Sequence, residues 1–153
     1  MKIKPECVVS FTDVDNGEVC LPGNSLNNNL KLNDDSGTLK SPPSYPPDLS
    51  CSWLITVPEG KIVKLSFNRF DLYWRAGRCG DYVEALDGQY TSSQSLAKYC
   101  AYSTPKAVLS SGRYMRVNFR SDYYSKTEKD DGFSATFIAV DKSSKYGETV
   151  NLI

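Results

Sequence analysis

The chain has 153 residues, 40% of them hydrophobic and 24% charged, enough for one domain with its own core and some flanking sequence. Lys plus Arg total 18 and Asp plus Glu total 18, so the charge balance points to neither nucleic acid nor an anionic membrane. Histidine is absent. That excludes Ser-His-Asp and Cys-His nucleophiles and His-ligated zinc or haem, and leaves acid–base work to a strongly shifted carboxylate or Lys.

No segment approaches the roughly 20 apolar residues that span a bilayer. ATFIAV, residues 135–140, comes nearest, and no membrane insertion is expected. The N-terminal MKIKPECVVSFTD lacks the apolar stretch of a signal peptide. The chain is then either cytosolic or a mature fragment with an added Met. Cys7, Cys20, Cys51, Cys79 and Cys100 favour the second reading, because they are scattered without a CxxC pair and suit disulfides better than a metal site. Their odd number leaves one over.

Residues 1–36 are polar and rich in Asn, Asp, Gly and Ser, and read as loop. SPPSYPP at 41–47 is extended, since Pro restricts both itself and the residue before it. After Cys51 the apolar period becomes two. SWLITV sets Trp53, Ile55 and Val57 on one face, PEG makes a turn, and KIVKLSF sends Val63, Leu65 and Phe67 inward. DYVEALDG is a short strand ending in an Asp-Gly turn. RYMRVNF alternates with Met115, Val117 and Phe119 inside, and GFSATFIAV with Phe133, Ala135 and Phe137. TSSQSLAKYC, residues 91–100, is compatible with a helical turn or a strand. Six or more short strands with closely spaced turns predict an all-β fold, a two-sheet antiparallel sandwich or a barrel.

SGTLKSP, YPPDLSCSW, the PEG turn, FNRFDL, CGDYVEALDG, LAKYC, LSSGRYMRVNFRSD and DGFSATF follow one another in an order that resembles the CUB domain family. The resemblance covers residues 20–139 and implies an extracellular jelly-roll β-sandwich module. It places an N-terminal extension at 1–19, the module at 20–140, and a tail or linker at 141–153. It also implies the pairs Cys20–Cys51 and Cys79–Cys100. Cys7 then bonds a second chain or neighbouring domain, stays a free thiol, or replaces Cys20 as the mate of Cys51; these alternatives stay open.

Many members of this family hold one calcium ion at one end of the sandwich, and the resemblance carries three ligand positions over to Tyr45, Asp81 and Asp122. The position expected to hold a Glu, eight residues before Asp81, is Tyr73. Calcium seeks 6–8 oxygens, and a phenol is uncharged near neutral pH, so either no cofactor or one weakly held Ca²⁺ is expected. Asp71, Asp130 and Asp131 are the carboxylates available to replace the missing ligand. In the alternative, Asp81 and Asp122 hydrogen-bond turn backbone or pair with Arg75 or Arg78.

The same end gathers Tyr73, Trp74, Arg75, Tyr123 and Tyr124, residue types that dominate binding hot spots. They are expected to form a face for an extracellular protein partner or a neighbouring domain, or else to fold onto the sandwich as a satellite core. No Asn is followed at +2 by Ser or Thr, so no N-glycan shields any face. The expected function is non-catalytic protein–protein recognition; the alternative is a glycan- or matrix-binding module of spermadhesin type. No carboxylate pair stands out for glycosidase chemistry.

Overall fold

Among the described residues, the segments of sustained apolar–polar alternation are strand, and two short strands also occur within residues 1–36, which read as loop in the sequence. The computed structural model describes residues 17–19, 29–74, 77–123, 125, 127 and 131–142. Its strands are β1 (Gly17–Val19), β2 (Asn29–Leu32), β3 (Ser36–Lys40), β4 (Ser50–Thr56) and β5 (Lys61–Asp71). They continue with β6 (Tyr82–Asp87), β7 (Gln94–Tyr99), β8 (Val108–Leu109), β9 (Tyr114–Arg120) and β10 (Gly132–Asp141). No helix occurs among the described residues, and the ambiguous SQSLAKY segment is strand β7.

The strands form two five-stranded sheets, in the orders β1-β3-β10-β5-β8 and β2-β4-β9-β6-β7. Pairing is antiparallel except at one edge of each sheet, where β1 lies parallel to β3 and β2 parallel to β4. β1 precedes position 20, so three residues ahead of the expected module boundary join its sheet.

The inner faces meet in one core. Trp53, Ile55, Val63, Leu65, Met115, Val117, Phe119, Phe133, Ala135 and Phe137 are all buried, as their alternation requires. Trp53 stands edge-on to Phe133 with ring centres 5.7 Å apart, and Phe133 lies 5.5 Å from Phe119, so the rings link the two sheets. Phe67 and Phe70 are both buried although three positions separate them on one strand. A register shift makes this possible: Ser134 faces Arg69 but Ala135 faces Phe67, leaving Asn68 as the extra residue of a bulge. Asn68 turns outward and donates to Thr136 Oγ1 at 2.9 Å.

The β3–β4, β5–β6, β7–β8 and β9–β10 connections all lie at one pole of the sandwich, and every site residue expected from the sequence that is described sits there. Cys79 and Cys100 form a disulfide between the second and third of these connections. Cys51, at the start of β4, is buried and disulfide-bonded. Cys7 and Cys20 lie outside the described residues.

Candidate functional site: a hydrogen-bonded pole with an aromatic rim

The centre of this pole is a buried carboxylate. Asp81 is 2% exposed. Its Oδ2 accepts the Tyr45 phenol at 2.6 Å, and its Oδ1 accepts the Asp122 N–H at 2.9 Å and the Ser125 hydroxyl at 2.6 Å. These bonds occupy three of the roughly four acceptor positions of a carboxylate.

Tyr45 reaches Asp81 because Ser44 and Asp48, both with positive φ, turn the Pro-rich loop inward around it. Its ring packs edge-on against Phe119 at 5.0 Å, which fixes the direction of the hydroxyl. Burial, and next the hydrogen bond to Asp81, pushes this phenol far above the usual tyrosine range, so it stays protonated and remains a donor. The same oxygen accepts the Tyr73 backbone N–H at 2.8 Å.

Ser121 ties the loops further. Its Oγ accepts the Leu49 N–H at 2.8 Å and donates to Pro46 C=O at 2.6 Å, while Thr127 Oγ1 donates to Tyr45 C=O at 2.7 Å. Gly80 lets the Asp122 carboxylate lie close against the backbone: a side chain there would force that carboxylate to shift.

The network brings together Tyr45, Asp81 and Asp122, the three positions expected to ligate calcium. Asp81 accepts a turn N–H, as the alternative reading had it. Tyr73 divides its parts: the N–H joins the network and the ring packs against the core. Among the described residues no group of three or more acidic, Cys or His side chains assembles around a common point. Asp81 and Asp122 are the two expected carboxylates present at the pole, and Asp131 lies near enough for its charge to act on the Tyr45 phenol.

The rim of the pole is aromatic. Trp74 is 42% exposed, and its ring stands edge-on to Tyr102 at 6.4 Å and 85°. Tyr123 is 71% exposed. Arg75 and Tyr124 lie outside the described residues. Ser125, Thr127 and Tyr102 escaped the sequence reading. Ser125 carried a faint signal, three residues after Asp122, where a hydroxyl can reach back to an Asp. Tyr102 and Thr127 carried none, because only the folded loops bring them to the site, and Ser121 figures in the sequence only as part of FRSD, without a role.

A disulfide-tied β-sandwich with a hydrogen-bonded pole and an aromatic rim is the architecture of an interaction module. The chain belongs to the CUB domain family, whose model matches residues 28–137. It is 40% identical over 107 residues to a bone morphogenetic protein 1 homolog of Strongylocentrotus purpuratus, covering 68% of this chain and 16% of that protein. It is 39% identical over 118 residues to cubilin of Rattus norvegicus, covering 72% of this chain and 3% of that one. The chain thus spans only a small part of these relatives.

Among solved structures, the CUB1-EGF-CUB2 domain of human MASP-1/3 superposes with a TM-score of 0.62 at 36% identity, over 74% of this chain and 45% of that one. The MASP-1 CUB2 domain bound to Ca²⁺ shares the fold, with a TM-score of 0.59 at 23% identity, over 71% of this chain and 96% of that one. CUB domains are generally non-catalytic interaction modules, and the catalytic parts of relatives lie outside the matched region. The CUB relatives are extracellular or ectodomain proteins, and the Cys79–Cys100 disulfide suits the same oxidising setting.

Proposed function

We propose that this chain is a non-catalytic extracellular recognition module whose partner face is the rim of the Asp81 pole, formed by Tyr73, Trp74, Arg75, Tyr123 and Tyr124. The observation that carries the reading is the exposure of Trp74 directly after Leu72 and Tyr73, whose N–H groups are both hydrogen-bonded. A large aromatic left in solvent on a rigid frame is what a binding hot spot requires. The module body is residues 20–140, flanked by the 1–19 extension and the 141–153 tail, with β1 adding an edge strand.

In this reading the pole keeps its shape without calcium. The support is chemical: Tyr45, Ser125 and the Asp122 N–H satisfy Asp81 in the way a cation otherwise does. Strand topology supports Cys20–Cys51 as the second disulfide. β1 ends with Val19 beside Lys40, at the pole where Cys51 begins β4, and Cys20 is the next residue in sequence. Cys7 is then the thiol left for a neighbouring domain or chain.

An array of extracellular proteins probed with the multimerised chain tests the function. Specific hits abolished by Trp74→Ala, and retained by Asp35→Asn at the opposite pole, are expected. Hits indifferent to Trp74→Ala, or ring-dependent hits on a glycan array in their place, overturn it.

A further inference from the structure

The opposite pole of the sandwich gathers the β2–β3, β4–β5, β6–β7 and β8–β9 connections, and it opens into a cleft of about 260 Å³. Residues 33–35, residues 56–58 and Arg113 line it. The lining is tied together. Val57 donates its N–H to the Arg113 C=O at 3.0 Å, and Arg113 Nε–H donates back to the Val57 C=O at 3.0 Å. That second bond anchors the guanidinium with only one of its five N–H donors. Across from it, Asp34 and Asp35 are both exposed, and Asp34 Oδ1 accepts the Asp35 N–H at 3.2 Å.

The chain leaves the sandwich through the same opening. Ala139 of β10 donates its N–H to the Asp35 C=O at 2.7 Å. Asp141, the last residue of β10, pairs with Lys61 at 3.0 Å, and the Lys61 N–H bonds the Pro58 C=O at 3.1 Å. The end of β10 is thus held between the two turns that line the cleft. From Lys142 the sequence continues as SSKYGETVNLI, with Lys145, Tyr146 and Glu148 in its first half.

β10 lies in one sheet beside β3, to which Asp34 and Asp35 lead, whereas Arg113 leads into β9 of the other sheet. Facing sheets are about 10 Å apart, a distance that three extended residues cover. The order of charges along the continuation therefore matches their order across the cleft. Lys145 comes first, at the side of the two carboxylates, and Glu148 three residues later, at the side of the guanidinium. Exposed ion pairs are individually weak, but a segment tethered this closely meets the cleft at an effective concentration of about millimolar.

We propose that this cleft docks the chain's own continuation, residues 143–153, with Lys145 on the Asp34–Asp35 turn, Tyr146 on Pro58 and Glu148 on the Arg113 guanidinium. Docking sets the direction in which the chain leaves the sandwich. The site lies at the pole away from the aromatic rim, so it stands or falls independently of the recognition reading.

Nitrogen-15 relaxation of the full chain tests it. In the wild type the amides of residues 145–148 are expected to have order parameters of about 0.85, as in folded backbone, where a solvated tail lies below about 0.6. Lys145→Glu and Asp35→Lys should each bring them below that lower value. The double variant carrying both, which restores the ion pair with its charges exchanged, should recover the order. An unaltered melting temperature confirms that each variant is folded.

Order parameters below about 0.6 at 145–148 in the wild type, order indifferent to Lys145→Glu, or no recovery in the double variant overturns the proposal. Order that appears only as the protein concentration is raised assigns the cleft to the tail of a second copy, and overturns the intramolecular docking as well.

Discussion

Tyr73 meets Tyr45 through its backbone. Its N–H donates to the phenol oxygen at 2.8 Å, while its ring packs on the core. The position at which the family resemblance anticipates an acidic side chain thus supplies a donor, to the same hydroxyl that donates to Asp81 at 2.6 Å. Tyr45→Phe removes one link from each side, leaving the Tyr73 N–H without its acceptor and Asp81 Oδ2 without its donor. The expected loss is about 1–3 kcal/mol in urea unfolding.

The same residue should set an alkaline limit. The phenol is raised by burial in the folded chain, whereas in the unfolded chain it titrates near its usual value of about 10. Its contribution is therefore complete below that pH and declines above it, because the unfolded state releases the proton first. Above about pH 10 the wild-type stability should fall more steeply than that of Tyr45→Phe, by roughly 1.4 kcal/mol per pH unit. Parallel slopes for the two proteins would remove the role given to this phenol.

Calorimetric titration with millimolar Ca²⁺ should give no specific heat, and neither Ca²⁺ nor a chelator should move the melting temperature. Asp81 already has its donors. A saturable heat abolished by Asp122→Asn would restore a metal to the pole.

Non-reducing peptide mapping should recover Cys79 linked to Cys100, and Cys51 linked to Cys20. Replacing both Cys79 and Cys100 with Ser opens a loop with a sequence separation of 21 and should cost about 3 kcal/mol. Because the disulfide also holds the corner at Ala101, whose φ is 70°, just ahead of Tyr102, the variant should bind partner less tightly even where it remains folded.

Asn68 offers a test of the bulge. Deleting it would restore regular pairing between β5 and β10 and turn one of Phe67 and Phe70 out of the core. The expected loss is about 3 kcal/mol, comparable to truncating a buried Phe. Asn68→Ala, which keeps the extra residue and loses only an exposed hydrogen bond, should cost less than about 1 kcal/mol.

Strands β4, β5, β6, β9 and β10 were legible because their alternation is a local property, whereas β1 and β2 fall in the polar stretch 1–36 that reads as loop and become strand only by pairing with β3 and β4. Trp53, Ile55, Val117 and Phe137 declare an inner face through their spacing alone. Phe70 did not, since strict alternation from Phe67 sends it to solvent, and only pairing with β10 reveals that Asn68 is skipped. At the site, Tyr45, Asp81 and Asp122 were found through ordered motifs. Ser125 and Tyr102 were not, since nothing in a linear chain marks a hydroxyl or a ring that matters only to a residue on another connection. The sequence grouped Trp74 with Tyr73, Tyr123 and Tyr124; the ring that stands against Trp74 is Tyr102, delivered by the Ala101 corner.

Composition, periodicity and motif order by themselves determined an all-β chain of the CUB family without histidine chemistry, with its loops of interest named. Each of these follows from residue type and near-neighbour spacing. Tertiary structure alone decided that Tyr73 contributes an amide and a packed ring, that Asp81 is held by Tyr45, Ser125 and the Asp122 N–H, and that Trp74 faces solvent beside Tyr102. Those outcomes depend on where four separate connections converge, and convergence is set by sheet pairing and burial across the whole sandwich.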